Sequence, residues 1–170
     1  MFSQFIPDII IDSVYNADAE FYRDFGSKCI ILDIDNTLVS DGTSDPDERA
    51  KRYVDDLKAN GFFVAIASNN SKERAERFCR ELDVFFTFKS GKPKRRSLIQ
   101  IAAYFGIKPN EITVVGDQIL TDILMAKRCG AHAVLVKPIN PYENGLFYIK
   151  RLIEKPFIRK YYRQKRKVRQ

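Results

Sequence analysis

The residues best suited to chemistry are Asp33 and Asp35, two carboxylates spaced i, i+2 directly after the apolar run Cys29–Leu32 and followed by Asn36 and Thr37. A carboxylate placed behind buried apolar residues is costly unless a charge meets it. In a loop just past a sheet edge, the pair can converge on one cation. A bare Asp-x-Asp can also be a turn held by Asx hydrogen bonds. Here the apolar run, the added Thr37 and a second acidic group downstream favour a site. That second group is GDQILTD, Gly116 to Asp122. Asp117 stands at a strand terminus beside a permissive glycine, and Asp122 enters the next helix, where an aspartate can also simply offset the helix dipole. Ser68-Asn69 offers a hydroxyl and backbone N–H groups ahead of a helix, suited to an anionic oxygen; the same residues also cap helices. Lys92 lies between Gly91 and Pro93 ahead of a helix, a place that suits a fixed loop lysine, although a solvated charge is the default for one of several neighbouring cations. Clustered oxygen ligands with incomplete protein coordination suit Mg²⁺, which keeps waters and substrate oxygens in its shell.

Positioning these residues requires strands that end where the chemistry begins. Cys29–Asp33, Phe62–Ala67, Val84–Phe88, Ile112–Val115 and His132–Val136 are short apolar, β-branched-rich runs, each predicting a strand buried on both faces. Helical patterns lie between them, over Pro46–Ala59, Ser71–Leu82, Arg95–Phe105 and Leu120–Cys129. Asp45-Pro46 predicts an N-cap with proline in the first turn, and Gly61, Gly106 and Gly130 fall where helices should stop. Ser71, followed by Arg74, lacks a capping box. Strands alternating with helices predict an α/β fold, a three-layer parallel sheet of Rossmann-like type. Ligands of such folds bind outside the carboxyl ends of the strands. Asp33, Ser68 and Asp117 fall at three of those ends, and Lys92 in the loop after the third strand.

ILDIDNT, IASNN, GKP and GDQILTD, in this order, resemble the four motifs of the haloacid dehalogenase (HAD) superfamily of phosphohydrolases. The Asp-x-Asp-x-Thr form is similar to its phosphatase branch. The segments PDIIIDSVYNADAEFYRDFGSKCIILDIDNTLV and VVGDQILTD with GAHAVLVKPI resemble the YqeG-like, subfamily IIIA members over nearly the full chain. Relatives of that group include phosphatidylglycerophosphate phosphatases. The chain departs from them at Lys94, Arg95 and Arg96 and in a long basic tail, differences that bear on substrate and not on the chemistry. The resemblance implies that Asp33 is the nucleophile, forming an aspartyl phosphate, and that Asp35 is the general acid/base. It implies Mg²⁺ held by Asp33, the Asp35 backbone carbonyl and Asp117, with Asp122 supporting: orienting Lys92 or a metal-bound water. Thr37, Ser68, Asn69 and Lys92 would bind the substrate phosphate. Only 30 residues separate Thr37 from Ser68, enough for a helix and a strand and too few for a cap domain. An uncapped site suits a phosphate displayed on a large surface.

The 170 residues fit one domain, and 45% apolar with 30% charged content excludes wholesale disorder. No apolar run reaches membrane-spanning length. The first twenty residues lack a basic n-region and a small-residue cleavage site, which argues against a signal peptide. Cys29, Cys79 and Cys129 read as buried free thiols of a reducing cytosol. Charge is uneven: 150–170 carries ten Lys or Arg and one acidic residue, Glu154, whereas the other 149 residues carry 19 basic and 21 acidic groups. The chain divides on this reading into a phosphatase domain, 1–155, and a basic tail, 156–170. Basic residues interleaved with Leu152, Ile153, Phe157, Ile158, Tyr161 and Tyr162 suit an anionic membrane surface; a solvated terminus is the plainer reading. The expected location is cytoplasmic, peripheral at the membrane through the tail. The expected function is a Mg²⁺-dependent phosphomonoester phosphatase on a membrane-presented or macromolecular substrate such as phosphatidylglycerophosphate. The alternatives are a phosphatase of nucleic-acid ends or phosphoproteins, and a HAD-like binding protein without catalysis.

Overall fold

The computed structural model describes residues 3–140 and 145–168. Its sheet has six parallel strands: β1 (Ile9–Ile11), β2 (Cys29–Leu32), β3 (Phe63–Ala67), β4 (Phe85–Thr87), β5 (Ile112–Gly116) and β6 (His132–Val136), in the order β1-β6-β5-β2-β3-β4. Every residue of β2 is buried. Ile30 and Leu32 join Val64 and Ile66 in the core on one face; Cys29 and Ile31 join Ala65 and Ala67 on the other. Burial on both faces is why these strands read as continuous apolar runs instead of alternating ones.

Helices α1 (Ala19–Asp24), α2 (Glu48–Ala59) and α3 (Lys72–Arg80) pack on the first face through Tyr22, Val54, Leu57 and Phe78. Helices α4 (Arg96–Phe105), α5 (Leu124–Cys129) and α6 (Leu146–Val168) cover the second through Leu98, Ile101, Met125 and Phe157. The result is the expected three-layer α/β core. From β2 the chain steps outward to β3 and β4, then returns to β5 on the other side of β2. That reversal opens a crevice at the carboxyl ends of β2, β3 and β5. Only α2 lies between β2 and β3, and only α3 between β3 and β4, so among the described residues no cap domain is inserted at either place.

Several local expectations change. The edge strand β1 and the helix α1 were not foreseen, being three and six residues long. Helix α2 starts at Asp47 rather than at Asp45-Pro46, because the Asp47 carboxylate accepts the Ala50 N–H at 2.8 Å. Ser71 does cap α3, accepting the Arg74 N–H at 3.4 Å. The helix expected over Leu120–Cys129 begins as a π-helical turn, Ile119–Ile123, before α5. Cys29 and Cys79 are buried, whereas Cys129 is half-exposed.

The segment after Lys150 differs most from expectation. Helix α6 runs without a break across the 155/156 boundary and through Pro156. Phe157 stacks on Phe5 with ring centroids 4.8 Å apart, Ile158 packs on the second core, and the buried Tyr161 hydroxyl accepts the Ile10 N–H at 3.3 Å. Three of the six apolar residues read as a surface-seeking set therefore hold the helix to the body. The outward apolar face instead comprises Tyr148, Ile149, Leu152 and Ile153, which are 57%, 52%, 41% and 51% exposed.

Candidate active site

Asp33 follows β2 directly, and its N–H continues the ladder by donating to the Val115 carbonyl at 3.0 Å. The chain then turns sharply. Asn36 takes a left-handed conformation, φ 57°, which asparagine tolerates better than most residues. Its side-chain oxygen accepts the Asn140 N–H at 3.1 Å, and its carbonyl accepts that of Ile139 at 3.2 Å. The loop after Asp33 is thereby tied to the exit of β6. Thr37 is buried, and its hydroxyl has no hydrogen-bond partner among the described residues.

Lys92 is the hub of the charged cluster. Its Nζ donates to Asp33 Oδ1 at 2.7 Å and to Asp122 Oδ1 at 2.6 Å, and all three side chains are largely buried. Burial alone would depress the Lys92 ammonium; Asp122 and Asp33 outweigh it and hold the group above its ordinary value. Burial pushes the Asp33 carboxyl up to about 7, against Lys92 and with the help of Asp122 and Asp35. Asp117 is raised well above the usual carboxylate range, by burial first and the Asp33 charge second, with Arg151 opposing. Carboxylates brought this close in a dry corner resist ionising together, a conflict that a bound cation would relieve.

The donor set fits such a cation. Asp33, Asp117 and Asp122 each place a carboxylate oxygen within 4.8 Å of the others. Two ligands of one Mg²⁺ can lie at most about 4.2 Å apart, at ~2.1 Å from the ion, so a small closure suffices. Asp117 Oδ1 is buried without a hydrogen-bond partner among the described residues, which leaves its lone pairs available. Both Asp122 oxygens are already taken, Oδ1 by Lys92 and Oδ2 by the Thr121 hydroxyl at 2.9 Å. Asp122 thus acts in this structure as a brace for Lys92.

Gly116 makes that brace sterically feasible. A Cβ at this position would fall inside van der Waals distance of the Asp122 Cγ and Cβ atoms, so the carboxylate lies flat against the end of β5 only where a side chain is missing. Gly116→Ala is therefore expected to push Asp122 from Lys92. Overpacking of this kind costs about 1–3 kcal/mol, and a displacement near 1 Å at a reacting centre costs roughly 10²-fold in rate. Thermal melts and steady-state kinetics check both; wild-type kcat in Gly116→Ala would show that this packing is not needed.

The remaining sequence-derived residues also reach the crevice. The Ser68 hydroxyl accepts the Asn70 N–H at 3.1 Å, and the Asn69 side-chain oxygen accepts the Ser90 hydroxyl at 2.8 Å and the Lys92 N–H at 3.1 Å. Asn69 thereby fixes the loop that carries Lys92. The crevice itself is a cleft of about 180 Å³ lined by Asp33, Asp35, Asn69, Lys92, Thr121 and Lys150 among others. A wider hollow of about 460 Å³ lies among Phe63, Phe85, Tyr104 and Phe105. It includes the first residue of β3, at the opposite end of the sheet, and holds none of these groups.

Two arginines were missed. Arg74 forms a bidentate pair with the Asp35 carboxylate, which also accepts the Asn70 side-chain N–H at 2.7 Å. A signal was present: a cation in the first turn of α3 opposes the helix dipole and calls for an anionic partner. Arg151 of α6 pairs with Asp117 Oδ2 and with the Asp117 carbonyl. It sits within a long run of basic residues, where nothing local marks it.

Known proteins resemble this chain in sequence and fold. Residues 42–130 fit the family description haloacid dehalogenase-like hydrolase. The chain is 30% identical over 151 residues to the probable phosphatase YqeG of Bacillus subtilis (strain 168), covering 89% of this chain and 88% of that one. Among solved structures, the cobalt-bound deoxy-D-mannose-octulosonate 8-phosphate phosphatase YrbI of Haemophilus influenzae superposes with a TM-score of 0.54 at 15% identity, over 66% of this chain and 69% of its own. The 3-deoxy-D-manno-octulosonate 8-phosphate phosphatase of Moraxella catarrhalis, solved with magnesium, phosphate and its sugar, gives 0.50 at 16% identity, over 68% and 80%.

Proposed function

The chain belongs to the haloacid dehalogenase-like hydrolases and is a phosphatase, and we propose that it cleaves phosphomonoesters through an aspartyl phosphate on Asp33 with Mg²⁺. The observation that carries this reading is one corner of the crevice. There Asp33, directly after the central strand β2, meets a buried lysine at 2.7 Å and a second aspartate with one oxygen unpartnered among the described residues. Asp33 attacks phosphorus in line; the bond from phosphorus to the ester oxygen breaks as the bond to the carboxylate forms. Asp35 gives its proton to the leaving oxygen, then takes one from the water that releases inorganic phosphate and restores Asp33. Lys92 and the Ser68 hydroxyl meet the phosphoryl oxygens, with Thr37 and Asn69 shaping the same pocket. Asp33, Asp117 and the Asp35 carbonyl would hold Mg²⁺, whose chemistry when bound is to neutralise the approach of two anions. Acid quenching during turnover of an aryl phosphate should trap one phosphoryl group on the peptide that contains Asp33. A label on any other peptide overturns the assignment.

The substrate reading follows from access and charge. With no cap over the cleft, a phosphate on a large surface can reach Asp33. Helix α6 presents Tyr148, Ile149, Leu152 and Ile153 outward, lends Lys150 to the cleft wall and carries most of the cationic charge of 150–170. Apolar groups flanked by cations suit an anionic lipid surface, and phosphatidylglycerophosphate is a substrate that carries a terminal phosphomonoester on such a surface. No helix among the described residues is long and apolar enough to cross a membrane. Because Tyr161 is packed, the informative truncation ends at Tyr162, removing Arg163 to Gln170. Hydrolysis of a soluble phosphate should be unchanged, while hydrolysis in anionic vesicles should fall by about tenfold at low salt, each lost cation contributing up to ~1 kcal/mol of attraction. The gap should close as salt rises. Equal rates on vesicles would remove the lipid surface as the target; loss instead on phosphorylated oligonucleotide or phosphoprotein would redirect the reading to those substrates.

A further inference from the structure

Helix α6 does more than cover the sheet. Arg151 grips Asp117 at two points, one N–H donated to side-chain Oδ2 and another to the backbone carbonyl. The same guanidinium reaches Glu154 Oε2 at 3.3 Å, one turn along α6. Glu154 is 1% exposed, and its other oxygen accepts the Leu120 N–H at 3.0 Å. An arginine and a glutamate on one helix face thus hold both ends of the Asp117–Leu120 loop.

We propose that Arg151, backed by Glu154, is a positioning residue for the metal site: it fixes the Asp117 carboxylate so that Oδ1 is left to the cation. This rests on the reading of Asp117 as a metal ligand. A carboxylate can turn about its side-chain bonds, and each free rotamer lowers the fraction of time its oxygen faces an ion. Tying Oδ2 and the backbone carbonyl to one rigid guanidinium removes that freedom, and Oδ1, unpartnered among the described residues, is the oxygen such a grip leaves over. Outer-shell partners of ligating carboxylates commonly act in this way. Lysine cannot replace the planar fork, because a single ammonium satisfies one of the two acceptors well and not both. Arg151 also opposes the ion as a like charge, so the sign of its effect on metal affinity separates positioning from competition.

The test measures Mn²⁺ affinity by counting free ion with electron paramagnetic resonance, and Mg²⁺ affinity by calorimetry, on the full chain. Arg151→Met, which keeps the aliphatic stem, should weaken both ions by about 10- to 100-fold, and Arg151→Lys should fall in between. In an Asp117→Asn background the Arg151→Met substitution should have little further effect, since the two residues act as a unit. At saturating Mg²⁺, kcat should return toward wild type, a split that a merely structural contact would not produce. Unchanged or tighter metal binding in folded Arg151→Met overturns the proposal. Should that variant not fold, Arg151→Lys decides, wild-type affinity there having the same meaning. Metal binding that Asp117→Asn leaves untouched sinks the reading of Asp117 itself, and the proposal with it.

Discussion

Asp33→Asn is expected to lower kcat by about four orders of magnitude or more, on the scale seen when a covalent nucleophile is removed, while the fold persists. An amide oxygen neither attacks phosphorus nor satisfies a divalent cation as a carboxylate does. The stability of the variant should move the other way. The Asp33 carboxyl is pushed up to about 7 from an ordinary value of 3.8, by burial first, with Lys92 only partly offsetting it. An acid whose folded pKa is raised loses stability as pH climbs from its unfolded value to its folded one. In chelator, the asparagine variant should therefore match wild type near pH 4 and become the more stable of the two by pH 7, with Lys92 keeping Asp122 as its partner. Thermal melts across that range read the sign directly. Asp35→Asn should differ from both, forming phosphoenzyme slowly from an activated ester and hydrolysing it poorly. More than a few per cent of wild-type turnover in Asp33→Asn, with deamidation excluded by mass, would rule out this nucleophile.

The sheet and the motif residues were legible because they obey local rules. Each strand buried on both faces leaves an unbroken apolar run, and chemistry at the carboxyl ends follows from parallel order alone. What was not legible involves contacts distant in sequence. Strand β1 is three residues long and pairs with β6, 125 positions downstream (Ile9 with Val134), so no periodicity could declare it. Arg151 lies 34 residues from Asp117, amid cations whose individual partners composition cannot distinguish. The basic segment itself read as one tail, because charge dominates its sequence. The helix instead has two unlike faces: Phe157, Ile158 and Tyr161 pack inward while Lys155, Arg159 and Lys160 remain exposed. Arg74 was the readable exception, a cation misplaced for the helix dipole whose partner is the acid/base candidate.

Removing metal should abolish activity as fully as removing Asp33, and Mg²⁺ alone should restore it. The acidic corner holds Asp33, Asp117 and Asp122 against Lys92 and Arg151, three buried carboxyl groups whose full ionisation would exceed the two cations. The approach of a phosphate dianion adds to the excess, and protein donors alone leave that charge uncompensated. Oxygen-only ligation favours Mg²⁺ over Zn²⁺, which takes nitrogen and sulfur donors readily. Asp117→Ala deletes the oxygen that has no other partner among the described residues, so it should raise the Mg²⁺ needed for half-maximal activity by at least about 100-fold. Binding linkage supplies a second readout. A ligand present at about 100 times its dissociation constant stabilises the folded state by ~2.7 kcal/mol, so Mg²⁺ should raise the Tm of wild type and leave that of Asp117→Ala nearly unmoved. Full activity in chelator, or rescue by Zn²⁺ and not by Mg²⁺, would show that the cluster is no magnesium site.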